Sequence, residues 1–205
     1  MANLLAFDTS TPNLVVGLSY NSNNYLHDPV QTIKHTDVIL PAIDSVLNKA
    51  NASKKNLDAI VVGIGPGSFM GVRTAIACAQ GLAFALDIPV IPIHSLDILA
   101  TTAYRKHGWQ KIAVAWDARM SAVYFNSYIE QDAILQPQQL DQVLSPQTIM
   151  VEADMVLVGN GWSEYAAEFN LDLAQHNQDA GLIPTAEALL ELGARNMDKQ
   201  IAANQ

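Results

Sequence analysis

The chain has 205 residues, 50% of them hydrophobic and only 15% charged, the composition of a globular protein with length enough for one large core or two small ones. Its formal net charge of −9 repels phosphate backbones, so direct binding of tRNA or DNA by this chain alone is not expected, and any nucleic-acid role is indirect. The single cysteine, Cys78, excludes an internal disulfide framework and fits a reducing cytoplasm.

Residues 3–8 form an apolar run ending in an acid; the turn-rich TSTPN follows, and the valine-rich, alternating stretch 14–20 completes a predicted strand, turn and strand. The opening MANLLAF has no basic region and Asp8 interrupts its apolar run, so neither a signal peptide nor an anchor is expected. A polar turn at 21–24 precedes a third short strand near 25–30. A helix is predicted from about Thr36, because Ile39, Ile43, Val46, Leu47 and Ala50 fall at helical spacing with Pro41 near the first turn. Residues 59–64 read as a buried strand bounded by GPG, and 71–86 as a helix of small and apolar residues. Residues 88–93 are a further buried strand despite two prolines, and Ser95 is placed to N-cap a helix running to about Lys106. The longest weakly polar stretch, 76–86, is broken by Gln80 and falls short of the roughly 20 residues that span a bilayer, so no membrane segment is expected.

The second half begins again: IAVAWDARMSAVYFNSY echoes LLAFDTSTPNLVVGLSY when Asp117 is laid over Asp8, in polarity rather than in identity. A polar, Gln- and Pro-rich stretch at 136–147 follows, then a predicted strand at 155–159, a helix near 162–169 and a last helix from Thr185.

An acid closing a first strand before a hydroxyl-rich turn, as in Asp8, Thr9, Ser10 and Thr11, suits a site where a metal ion and nucleotide phosphates meet backbone amides and side-chain oxygens. The plainer reading is a strand end and a shaped turn. A phosphate turn also favours glycine two residues after the acid, where this chain has Ser10 and, after Asp117, Arg119; both departures argue against a conventional ATPase site. GIGPGSFMGVR follows a strand and opens a helix, where free amides can hold an anion. It lacks the lysine of GxxxxGK[ST] and the spacing of GxGxxG, so a tight strand-to-helix turn competes with that use. Arg73 lies in the first turn of that helix, where the dipole disfavours a cation, so an anionic partner is expected, either an internal carboxylate or a subunit or ligand. None of His27, His35, His94, His107 and His176 has metal-ligand spacing to another donor, and no GxSxG elbow is present. No catalytic residue and no metal site are therefore assigned.

LLAFDTSTPNLVVGLS, VVGIGPGSFMGVRTAIACAQGLAFALDIPVIPI and WDARMSAVYFNSY, in this order and spacing, resemble the TsaB family, also called YeaZ, over roughly residues 3–130. The resemblance implies an α/β, actin-like (ASKHA) fold of duplicated ribonuclease H-like lobes, with mixed sheets flanked by helices and lobes at 1–108 and 109–205. It implies a required but non-catalytic role beside a larger paralogue, TsaD, which transfers threonylcarbamoyl to the tRNA adenosine next to the anticodon, helped by the ATPase TsaE. It implies tRNA contact only through the complex and leaves both a homodimer and a monomer open for the isolated chain; no cofactor and no membrane partner are expected. In the catalytic paralogue a His pair spaced by four follows the strand resembling 88–93; here His94 is followed by Ile98, which removes a ligand that an aliphatic side chain cannot replace.

By the same resemblance the helices from about His35 and from Gly71 pack into an inter-subunit bundle through His35, Val38, Ile39, Met70, Val72, Arg73, Ile76, Ala79 and Ala83. Burial of these residues in the chain's own core is equally compatible with their polarity. Two departures stand out: Met70 replaces the family's threonine, and the chain ends at Gln205 without the family's Tyr-Leu-Arg ending. The rival readings are an ATP-dependent small-molecule kinase or ATPase on the same fold, a metal-dependent glycoprotease-like peptidase, and a homodimeric interaction module.

Overall fold

In the computed structural model the described residues are 2–28, 30–31 and 34–202. In chain order the first elements are β1 (Leu4–Asp8), β2 (Asn13–Tyr20), β3 (Asn23–Leu26), β4 (Val30–Gln31), α1 (His35–Lys49), β5 (Ala59–Gly63), α2 (Phe69–Leu86), β6 (Val90–Ile93) and α3 (Ser95–His107). They continue with β7 (Lys111–Arg119), β8 (Ala122–Gln131), β9 (Ile134–Pro137), β10 (Gln142–Leu144), β11 (Val156–Val158), α4 (Gly161–Glu164), β12 (Gln178–Asp179) and α5 (Ala186–Arg195).

The first sheet has the order β3-β2-β1-β5-β6, with β4 also on β2. Its hairpin strands are antiparallel, while β1, β5 and β6 run parallel. The second sheet repeats this plan as β8-β7-β11-β12, with β9 and β10 both on β8. Again the hairpin pairs are antiparallel and β7, β11 and β12 run parallel. The likeness between the Asp8 and Asp117 hairpins is thus repeated at the level of sheet topology. These are the mixed sheets flanked by helices of a duplicated ribonuclease H-like architecture.

Both faces of the first sheet are covered, which is why β1 and β5 are buried at every position. One face packs Leu5, Phe7, Val16, Ile60 and Val62 against Ile39, Ile43, Val46 and Leu47 of α1 and Ala75, Ala79 and Ala83 of α2. The other packs Leu4, Ala6, Ala59, Val61 and Ile91 against Ala186, Ala188, Leu189 and Leu190 of α5. In the second unit Trp162 is fully buried, donates its indole N–H to the Ala113 carbonyl (3.1 Å) and lies 4.6 Å from the Phe169 ring.

By packing, the chain forms two compact units, 1–98 with 184–205 and 99–183, and α5 supplies its apolar face to the first sheet. Several expectations shift. The third strand expected at 25–30 is divided between β3 and β4, and Pro29 within it lies outside the described residues. The helix expected at 162–169 is only α4: the chain leaves it at Tyr165, whose hydroxyl reaches Asp117. Ser95 does not cap α3, since its buried hydroxyl has no hydrogen-bond partner. The polar stretch at 136–147 holds β10, and β12 was not anticipated. Finally α2 is 18 residues long and, by length and composition alone, apolar enough to cross a membrane, unlike the shorter 76–86 stretch. In the fold its Ala75, Ala79 and Ala83 line is buried within the first unit.

Candidate functional site

The turn after β1 and the loop after β5 are built into one another. Asp8, Thr9, Ser10 and Thr11 are 0%, 0%, 1% and 3% exposed. Asp8 Oδ1 accepts the Ser10 backbone N–H (2.9 Å) and Oδ2 accepts the Ser10 hydroxyl (2.7 Å). The Thr9 hydroxyl donates to the Gly71 carbonyl (2.7 Å), and the Ser68 N–H donates to the Ser10 carbonyl (2.7 Å). A Cβ on Gly71 would lie 1.8 Å from the Thr9 carbonyl oxygen, and one on Gly67 would lie 2.4 Å from that of Ser10. The glycines of GPGSFMG therefore admit the turn's backbone where a phosphate loop would admit an anion. Burial pushes the Asp8 carboxyl above its ordinary range, opposed by the hydrogen bonds from Ser10 and Thr9 and by His35. The groups that a metal or a phosphate would need are thus engaged inside the chain, and a nucleotide would have to displace the loop to reach them.

His35 opens α1 as a buried residue and donates from Nε2 to the Thr11 carbonyl (2.9 Å), which fixes its tautomer and leaves the buried Nδ1 without a partner. His35 and Ile39 therefore face inward, as do Ala79 and Ala83, while Val38, Val72 and Ile76 are half-buried. Of the residues expected at a partner face, only Met70 and Arg73 are exposed. Arg73 has no carboxylate partner among the described residues; its guanidinium lies 3.5 Å from the centre of the Phe69 ring, in place of the anion expected there.

Beside the expected Met70, the outer side of α2 carries large apolar residues that sequence reasoning missed, Phe69 and Phe84. Phe69, Met70 and Phe84 are 67%, 66% and 74% exposed, with exposed Ala77 and Gly81 between them, and Leu40 of α1 is 51% exposed. An amphipathic pattern would have shown which side faces water, but α2 is apolar around most of its circumference, so no polar stripe marks it.

In the second unit the turn after Asp117 stands open. Asp117 Oδ1 accepts the Arg119 N–H (2.7 Å) and the Tyr165 hydroxyl (2.7 Å), while Oδ2 lies 3.2 Å from the Arg119 guanidinium. The hydrogen bond to Asp117 pushes the Tyr165 hydroxyl above its ordinary range. Arg119, Met120 and Ser121 have φ of 69°, 56° and 54°, left-handed conformations that cost a residue with a Cβ roughly 1 kcal/mol each. Among the described residues no group of three or more His, Cys, Asp or Glu is placed to hold a metal ion, and Ile98, four residues after His94, is fully buried.

The TsaD family model, described as tRNA N6-adenosine threonylcarbamoyltransferase, matches residues 29–202. The tRNA threonylcarbamoyladenosine biosynthesis protein TsaB of Haemophilus influenzae is 36% identical over 200 residues, covering 92% of this chain and 84% of that protein. Its Escherichia coli counterpart is 32% identical over 201 residues, covering 94% and 86%. The solved structure of YeaZ from Pseudomonas aeruginosa, 37% identical, superposes with a TM-score of 0.92 over 100% of this chain and 97% of that one. With identity above 30% sustained along most of both sequences and the duplicated actin-like fold in common, the chain belongs to the TsaB family.

Proposed function

We propose that the chain is a required, non-catalytic subunit of tRNA threonylcarbamoyladenosine synthesis. It works in the cytoplasm by assembling with a TsaD-type threonylcarbamoyltransferase, in a complex that also takes a TsaE-type ATPase. The observation that carries this reading is the exposed apolar side of α2, where Phe69, Met70 and Phe84 stand in water around the small Ala77 and Gly81. Apolar area of this kind is stabilised by roughly 25 cal/mol per Å² when a partner covers it. The closed Asp8 turn and Ile98, which stands where a second His would follow His94, support the non-catalytic part, and the net charge of −9 favours contact with tRNA through the partner. In the absence of the transferase, the same side of α2 would pair two copies of the chain.

Reconstitution tests the whole reading: with purified transferase, ATPase and tRNA, modification falls to background when this chain is omitted, and equal modification without it overturns the proposal. Phe84→Glu tests the surface. It should weaken binding to the transferase about 100-fold by calorimetry, with the melting temperature of the isolated chain unchanged because the side chain is 74% exposed. Val72 is a poorer probe, since it packs beside Gly65 in the chain's own loop.

A further inference from the structure

Along the outer side of α2 the exposed residues recur at helical spacing: Phe69 and Met70, then Arg73, Ala77, Gly81 and Phe84. Arg73 therefore lies inside the apolar stripe and not at its rim. It is the one charged residue among the 18 of α2, and it stands near the helix N-terminus, where the free amides disfavour a cation. The Phe69 ring holds its guanidinium from one side, 3.5 Å from the ring centre, which leaves the N–H edge of the plane to another group. Among the described residues no carboxylate takes that place. Any partner that covers Phe69, Met70 and Ala77 removes water from Arg73 as well. A desolvated cation without a counter-charge opposes the contact that the apolar residues favour, so the covering surface has to bring an anion to this point.

We propose that Arg73 determines which chain covers α2: a carboxylate of the TsaD-type transferase pairs with it on assembly, a reading that rests on the proposed function. One guanidinium matches one carboxylate in charge and, edge to edge, in a pair of parallel N–H donors. A phosphate group would bring excess negative charge to an apolar surface on a chain whose net charge is already −9. A second copy does not answer the cation either. α2 contains no acid, so two copies meeting through this side bring two guanidiniums and no carboxylate from the helix itself. The same residue thus favours the transferase and disfavours self-pairing.

Calorimetric titration of the full chain with purified transferase at low and high salt, beside sedimentation equilibrium of the chain alone, tests this. Arg73→Gln should weaken transferase binding about tenfold or more and flatten its salt dependence, with the melting temperature unchanged because the side chain is exposed. Self-association of the same variant should be unchanged or tighter, an opposite direction that loss of packing would not produce. Arg73→Glu should bind the transferase more weakly still, since it sets two carboxylates against each other. Full affinity in either variant, Arg73→Glu binding no worse than Arg73→Gln, or self-association that weakens in step with transferase binding overturns the pairing. Retention of tRNA by the isolated chain that disappears in Arg73→Gln would assign the cation to phosphate and overturn it too. A wild-type chain that does not bind the transferase sinks the proposed function and the pairing together, whereas normal wild-type binding left intact by both variants sinks the pairing alone.

Discussion

The turns after Asp8 and after Asp117 start from the same local pattern, an acid at the end of a first strand with polar residues following, and acquire opposite environments. In the first unit Gly67 and Gly71 let a loop from the neighbouring strand close over the turn until its carbonyls have no room beside them, and residues 8–11 are 3% exposed or less. In the second unit the loop after β11 also carries glycines, Gly159 and Gly161, but they admit the Ala115 backbone of β7 and not the turn after Asp117; the carboxylate of Asp117 is satisfied by its own turn and by Tyr165, and Met120 is 97% exposed. A local motif therefore sets where the acid sits, but long-range packing sets whether the turn after it is closed over or left exposed, the Asp117 side chain itself being only 7% exposed.

The comparison breaks most readily at the closed turn. Gly71→Ala forces a methyl group into the Thr9 carbonyl, so it should cost on the order of 3 kcal/mol or more, read as a large loss of unfolding free energy in urea. A normal midpoint would mean that the loop can move away and that the closure is loose. Asp117→Ala, at the open turn, removes the acceptor for the Arg119 N–H and the Tyr165 hydroxyl and should cost about 1–2 kcal/mol by the same measurement. The smallest effect belongs to Asp8→Asn, expected within about 1 kcal/mol of wild type near neutrality, because an isosteric amide relieves a buried charge while still bonding Ser10.

The sign of the pH dependence distinguishes that case further. The native pKa of Asp8 is raised, so protonated Asp8 favours the folded state: its contribution is fully present below the unfolded value of 3.8 and is lost as pH rises through the native one. Asp8→Asn should remove this decline, and a difference between variant and wild type that stays constant across the acid range would show that the carboxyl is not desolvated. A nucleotide-dependent enzyme would, by contrast, lose its activity with the same substitution, whereas tRNA modification should survive it.

Local signals made much of the fold legible. The spacing of Ile39, Ile43, Val46 and Leu47 gave α1 and its buried side, and the run before GPG gave β5. What escaped depended on contacts distant in sequence. β12 is two residues long and exists only because Leu157 and Val158 present a free edge to it, and β10 lies in a Gln-rich stretch whose strand character comes from pairing with Tyr124. Of the residues expected at a partner face, Met70 and Arg73 are exposed, whereas His35 is drawn inward by the Thr11 carbonyl, and Ala79 and Ala83 by the sheet. Phe69 and Phe84 were missed because in an apolar helix a hydrophobic side chain does not announce its direction.

The position of α5 has a consequence for how the chain is made. Leu4, Ala6, Ala59, Val61 and Ile91 are among the early products of the ribosome, yet the residues that cover them, Ala186, Ala188, Leu189 and Leu190, are synthesised only after the whole of 99–183. The contiguous middle unit can fold as it emerges, whereas the first sheet keeps one oily side uncovered through most of translation, the interval in which a nascent chain is most open to chaperone binding and misassociation.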